Sequence, residues 1–268
     1  MSKQKIFFIT YGTKQFRISA KHIIKLAKKS GFFEECIFYE PKDLSYEFKN
    51  EFNYVLSQNK GAGYWVWKHE IINETLKKIN NDDIVVYCDA GSSFNYLAKE
   101  RFFDYIEMLN SSKYGNFRIE SDSHHLEKYW TLCETFDYFN LDPESKIGNS
   151  PQLEAGEMIF KKNDHTRKYF LEYKQVLKNN QNLITDNYDE NTQIDSFRSN
   201  RHDQSLFSML SKIRGCVSIK NETNFIDNPS AQYDSPFLTV RTYGHGYKDR
   251  FKYLINYKKK YDTPVFFK

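Results

Sequence analysis

The run Ile84-Val85-Val86-Tyr87-Cys88 passes directly into the acidic turn Asp89-Ala90-Gly91-Ser92-Ser93. A buried strand that ends this way places a carboxylate at its C-terminal edge, where ligands of open α/β sheets collect, and Gly91 leaves room for something large and anionic to approach the backbone. Such a carboxylate can hold a hard divalent cation that bridges two phosphate oxygens. Asp89 can equally do no more than cap a following helix, so its neighbours decide. Upstream, Gly61-Ala62-Gly63-Tyr64-Trp65-Val66-Trp67-Lys68 sets two of the three tryptophans between a flexible turn and a helix start. Lys68 would sit there where an anion meets helix N-terminal N–H groups, and the rings can stack on a base or sugar. The competing reading packs both tryptophans in the core and leaves Lys68 as a surface charge. Asp122 with His124-His125 is a further metal-type cluster, but no other ligand has a useful spacing and a polar loop is the preferred reading.

These residues need a scaffold, and the apolar pattern supplies one. Lys5–Thr10 reads as a first buried strand, Tyr11-Gly12-Thr13 as a turn, and Phe16–Ser30 as a helix with Ile18, Ile23, Ile24 and Leu26 inward. Cys36–Tyr39 is a second strand broken by Pro41, and Leu44–Gln58 carries a helical pattern that ends at Gly61-Ala62-Gly63. A helix from Trp67 runs through Ile71, Ile72, Leu76 and Ile79 before the Ile84–Cys88 strand. Three rounds of strand and helix predict a mostly parallel sheet with right-handed crossovers. Beyond Asp89 the pattern predicts helices over Leu97–Leu109, Lys128–Phe139, His165–Lys178 and His202–Ile213, and strands over Asn116–Ile119 and Ala155–Lys161. The polar stretch Asn179–Asn200 reads as a mobile lid, an acceptor loop or a plain solvated connection.

A chain of 268 residues buries roughly three-quarters of its unfolded surface and is read as one domain. Its nucleotide-binding half is expected over 1–110, a sugar and acceptor half over 111–250, and a basic aromatic tail over 251–268. The four cysteines form neither CxxC pairs nor a zinc spacing, which fits packed thiols in a reducing compartment. No apolar run approaches the roughly 18 residues of a membrane span, so a cytoplasmic protein is expected. The net charge of +4 carries little weight, because acidic residues are nearly as numerous as basic ones.

The GYWVWK segment, the DIVVYCDAG strand and turn, and Arg201-His202-Asp203-Gln204-Ser205 together resemble the GT-A fold glycosyltransferases that build surface glycans. More distantly, Asp89-Ala90-Gly91, Glu154-Ala155-Gly156, Asp203-Gln204 and His245-Gly246-Tyr247-Lys248 run in the order of landmarks found in UDP-galactose and UDP-glucose transferases. The resemblance covers roughly residues 5 to 250. It implies a GT-A, Rossmann-like sheet flanked by helices, a UDP-sugar donor and Mn²⁺ or Mg²⁺ held by Asp89, the Gly91 position and His245. Gly91 stands where a second acidic residue is common, which weakens that metal set. Thr10, Tyr11, Gly12, Trp67, Lys68 and Lys248 would bind the nucleotide, Lys248 gripping the departing diphosphate. Gln152, Ala155, Gly156, His202 and Gln204 would contact the sugar. Asp203 and Glu154 are the catalytic candidates: Asp203 as a base or charge stabiliser at a helix N-terminus, and Glu154, where the distant families carry asparagine, as sugar contact, nucleophile of a retaining course, or neither. Retaining and inverting courses both stay open.

The acceptor would be a glycan or lipid-linked glycan. Lys248–Lys268, basic with interleaved Tyr and Phe, suits either peripheral contact with an anionic membrane or a solvated terminal helix. Two other functions compete. A nucleotidyltransferase would share the sheet and metal, but Tyr11-Gly12-Thr13-Lys14 is thin for its Gly-rich, Lys-containing loop. A nucleic-acid-binding protein would account for Arg250-Phe251-Lys252-Tyr253, yet no recognised motif accompanies it.

Overall fold

The computed structural model describes residues 3–224 and 234–239. Its centre is a six-stranded sheet in the order β2-β1-β3-β6-β5-β7. The strands are β1 (Ile6–Tyr11), β2 (Glu35–Tyr39), β3 (Ile84–Cys88), β5 (Asn116–Ile119), β6 (Glu157–Lys161) and β7 (Val217–Ile219), while β4 (Ser93–Phe94) pairs with β8 (Phe237–Leu238) in a small second sheet. Strands β1, β2 and β3 run parallel, as do β5 and β7; β6 alone is reversed between β3 and β5. The sheet is thus mostly parallel, as the sequence pattern predicts.

The helices are α1 (Arg17–Ser30), α2 (Tyr46–Glu51), α3 (Asn53–Leu56), the single turn α4 (Gly61–Tyr64), α5 (Trp67–Lys78), α6 (Lys99–Asn110), α7 (Glu127–Trp130), α8 (Cys133–Tyr138), α9 (Asp164–Asn179) and α10 (Asp203–Arg214). They cover both faces of the sheet. Every side chain of β3 is buried, and its alternation divides the core: Ile84, Val86 and Cys88 meet α1 and α6 through Ile23, Phe102 and Ile106, whereas Val85 and Tyr87 meet α5, α9 and α10 through Ile72, Tyr173 and Leu206. A strand apolar on both faces is what a helix-covered sheet requires.

Two expected helices are broken. The Leu44–Gln58 pattern divides into α2 and α3 at Phe52, whose φ of −111° and ψ of 24° leave the helical region while its ring stays buried. The Lys128–Phe139 pattern divides into α7 and α8 because Thr131 and Leu132 are extended. The Asn179–Asn200 loop is tied down in its first half, where Leu183 and Ile184 enter the core and Asn200 Nδ2 donates to the carbonyls of Leu183 and Thr185 at 3.1 and 3.0 Å. Among the described residues no helix is long and apolar enough to cross a membrane.

Candidate active site

Strand β3 delivers Asp89 to the sheet edge, where the Asp89 N–H donates to the Gly156 carbonyl at 2.7 Å and so joins the turn to the start of β6. The Tyr87 hydroxyl donates to Asp89 Oδ1. Lys68 lies 3.3 Å from that same oxygen and 2.7 Å from Asp203 Oδ2, and it donates to the Ala155 carbonyl at 2.9 Å. Lys68 is only 2% exposed. Burial works against its charge, but Asp203 and then Asp89 outweigh it and hold the ammonium above its ordinary range. Burial likewise pushes Asp203 up to about 6, with Lys68 opposing. An ammonium between two carboxylates satisfies the rule that a buried charge must be paired.

Lys68 therefore stands in the first turn of α5, but its ammonium is engaged by Asp89 and Asp203 rather than left as a surface charge. It lies on the inward face of α5, in the same stripe as Ile72 and Leu76, with its charge engaged internally. Trp67 is also buried and joins the core, as the packing alternative holds, and its ring stacks on Tyr11 at 3.8 Å and 17° between planes.

Above this cluster opens a cavity of about 510 Å³. One wall is the β1–α1 turn, with Tyr11, Gly12, Thr13 and Phe16; another is the segment Asn59–Trp65; the floor is Asp89–Ser92 with Glu154, Gly156 and Glu157; Arg201, Gln204 and Thr239 complete it. At Gly12 a Cβ would lie 3.2 Å from both Ala20 Cβ and the Phe38 ring, so the turn packs closely on both there.

The Asn59–Trp65 wall has an unusual backbone. Gly61, Ala62, Gly63, Tyr64 and Trp65 all have positive φ, a one-turn left-handed segment that costs L-residues roughly 1–2 kcal/mol each. Its anchors are visible: Trp67 Nε1 donates to the Gly61 carbonyl at 3.0 Å, the Tyr64 hydroxyl donates to Asp186 at 3.1 Å, and Lys60 pairs with Asp186 at 2.8 Å. The His202 ring lies against Tyr64 and Trp65, with centroids 4.9 and 5.6 Å away. Burial, then Lys60, lowers His202 to about 4, so it packs as a neutral ring with Nδ1 3.1 Å from the Ile184 carbonyl. Gly63→Ala is expected to cost about 2–3 kcal/mol, because φ is 94° and the new Cβ would lie 2.8 Å from Leu56 Cα. Gly31→Ala, at φ 70° with nothing within 4 Å, should cost about 1 kcal/mol. Urea denaturation of the two variants separates steric from conformational cost; equal losses would disprove the close packing at Gly63.

At the cavity floor, Ser121 Oγ donates to Glu154 Oε1 at 2.5 Å, while the Glu154 carbonyl accepts from the buried Arg118 guanidinium at 2.6 Å. Gln152 is fully buried. Its Nε2 donates to Thr131 Oγ1 at 3.1 Å, and its Oε1 accepts from Gln204 Nε2 at 3.0 Å. Of the sequence candidates, Tyr11, Gly12, Trp67, Asp89, Gly91, Glu154, Gly156 and Gln204 line the cavity. Thr10, Lys68, Gln152, Ala155, His202 and Asp203 form a buried layer behind the lining. His245, Lys248 and the tail lie outside the described residues.

Ser92, Glu157 and Arg201 also line the cavity, with no site role assigned to them from the sequence. Ser92 donates to Glu157 Oε1 at 2.6 Å, and burial, reinforced by the charges of Asp89 and Glu154, raises Glu157 to about 8. An acid leading directly into the apolar run Met158-Ile159-Phe160 of a central strand is the available signal. Arg201 places its guanidinium 4.5 Å from the Trp130 ring centroid and brings positive charge to the lining. Asp89 is the carboxylate at this edge that would have to hold a hard divalent cation, and it has one oxygen to offer. Asp89 Oδ1 is taken by Tyr87 and Lys68, while Oδ2 lies toward Gly156, 3.7 Å from where a Cβ would stand. Water and phosphate oxygens commonly complete such a shell.

No family model matches this chain, and no curated protein matches it. Solved structures do. A glycosyltransferase involved in glycosylation of the major capsid of PBCV-1 superposes with a TM-score of 0.52 at 11% identity, over 92% of this chain and 98% of the other. Mouse xyloside xylosyltransferase 1 gives 0.49 at 10% identity, over 89% and 99%. The galactosyltransferase LgtC gives 0.40 at 12%, over 82% and 75%. The six-stranded, mostly parallel sheet flanked by helices is the GT-A glycosyltransferase fold.

Proposed function

We propose that the protein is a glycosyltransferase that moves a hexose of the galactose or glucose type from a UDP-sugar to a hydroxyl of a glycan or glycoconjugate. The observation that carries this reading is the cavity itself, where an aromatic and glycine-lined first βα turn faces Asp89 across the carboxyl edge of a GT-A sheet. Ligands of α/β sheets bind at that edge.

In this reading Tyr11 and Trp67 form the wall for the base, and Gly12 lets the backbone come close. Asp89 Oδ2 and the diphosphate oxygens would hold Mn²⁺ or Mg²⁺. Such a cation, when bound, supplies positive charge to a leaving diphosphate. Arg201 brings a fixed guanidinium suited to phosphate oxygens. Glu154 and Gln204 face the space left for the sugar, Glu154 held by Ser121 and Gln204 by Gln152. Asp203 acts through Lys68: it fixes the ammonium that fixes Asp89, so it is a positioning residue and Glu154 is the acid in reach of the reacting sugar.

Thermal-shift titration with UDP, UDP-glucose and UDP-galactose against CDP and GDP, with and without Mn²⁺, tests this. A stabilisation specific to uridine nucleotides, dependent on metal and lost in Asp89→Ala, is expected, together with slow release of free hexose. Pyrophosphate-dependent formation of UTP would instead assign a nucleotidyltransferase, and a shift with single-stranded nucleic acid alone would remove the enzyme reading.

A further inference from the structure

The segment between β5 and α7 gathers Asp122, His124 and His125 so that one ligand atom of each lies within 4.8 Å of the others. None of the three lines the cavity around Asp89. The sequence alone favours a polar loop here, yet the fold holds this loop in place. The His125 N–H donates to the Asp122 carbonyl at 2.8 Å, the His125 carbonyl accepts from the Gln152 N–H at 2.8 Å, and Leu126 bridges to Pro151. Asn221 Nδ2 donates to Asp122 Oδ1 at 3.1 Å, which orients the carboxylate from outside the cluster. The His125 ring meets the Trp130 ring at 5.7 Å.

We propose that Asp122, His124 and His125 form a second cation site, for a divalent transition metal of the zinc class. Two imidazoles and one carboxylate select such a metal over Mg²⁺ or Ca²⁺, which prefer all-oxygen shells. Three protein ligands leave a fourth position for water. With Zn–N and Zn–O bonds of about 2.0–2.2 Å, the cluster must contract slightly, and the exposed His124 closes it by side-chain rotation. Asn221 is the outer partner that such carboxylate ligands generally carry.

The placement gives the site a role. Ser121, next to Asp122, holds Glu154, and Trp130, against His125, carries Arg201. A bound ion therefore braces the support of two cavity residues. The site itself does not depend on the glycosyltransferase reading, and its test needs no substrate.

Calorimetric titration of the metal-free full chain with Zn²⁺, paired with Co²⁺ visible absorption, reads the site directly. Wild type is expected to bind zinc, with His124→Ala losing one equivalent and Asn221→Ala binding it about 10-fold more weakly. Because His124 is exposed, its replacement leaves the fold intact, which the unfolding transition of the variant checks. Asp122→Asn provides a second, nearly isosteric loss of the same equivalent. Absence of zinc binding in wild type, or unchanged stoichiometry and affinity in both His124→Ala and Asp122→Asn, overturns the proposal.

Discussion

Lys68→Met is expected to destabilise the protein by about 3–5 kcal/mol, the usual cost of leaving a buried charge without its partner. Methionine keeps the length and apolar stem of lysine, so the loss comes from the ammonium. Its two carboxylates do not share the penalty equally. The Asp203 side chain is 6% exposed and cannot recruit water, whereas the Asp89 side chain is 36% exposed and can. Adding Asp203→Asn to Lys68→Met should therefore recover most of the stability, and adding Asp89→Asn should recover little. Equilibrium urea unfolding of the single and double variants measures this. At about 2–4 °C per kcal/mol for a chain of this size class, the single variant should also melt roughly 10 °C lower. A loss below 1 kcal/mol for Lys68→Met would show that the buried ion pair does not hold the site together.

That cluster also shows what sequence can and cannot convey. Strand β3 was legible to the residue, because a five-residue apolar run bounded by Asp82-Asp83 and Asp89-Ala90-Gly91 has no competing period. The burial of Lys68 is one step further from the sequence: in a helix beginning at Trp67 it shares a stripe with Ile72 and Leu76, and a lysine on an apolar stripe needs a partner charge. Its partner Asp203 is 135 residues away along the chain, so no local pattern could supply the pair. The reversal of β6 was invisible for a different reason, since period-two alternation reads the same in either direction. The left-handed turn ran against the sequence, because Ala62, Tyr64 and Trp65 prefer negative φ and only tertiary packing by His202, Asp186 and Trp67 selects the other basin. Asp89 and Glu154, by contrast, line the cavity because each follows directly from the end or approach of a strand at the sheet edge where ligands of such sheets collect.

Glu157 should make wild-type stability fall as pH rises, in the opposite sense to an ordinary salt-bridged acid. Its folded value of about 8 stands above its ordinary 4.5, so between those values the native chain holds a proton that the unfolded chain has lost. Stability therefore declines across that window, because the native state binds the extra proton. At 1.36 kcal/mol per pH unit, the whole interval corresponds to about 5 kcal/mol, fully lost only above pH 8. Burial is the main cause and the neighbouring charges of Asp89 and Glu154 add to it, while the Ser92 hydroxyl opposes them. Glu157→Gln removes the proton from consideration and keeps the shape of the neutral acid. The two proteins should unfold at nearly the same urea concentration at pH 5, and the variant should become progressively the more stable from pH 6 to pH 8.5. Other titrating groups cancel in this difference, since both chains carry them. Parallel stability profiles for wild type and Glu157→Gln over that range would mean that Glu157 is ionised in the native state at neutral pH, and the cavity floor would then carry an additional negative charge.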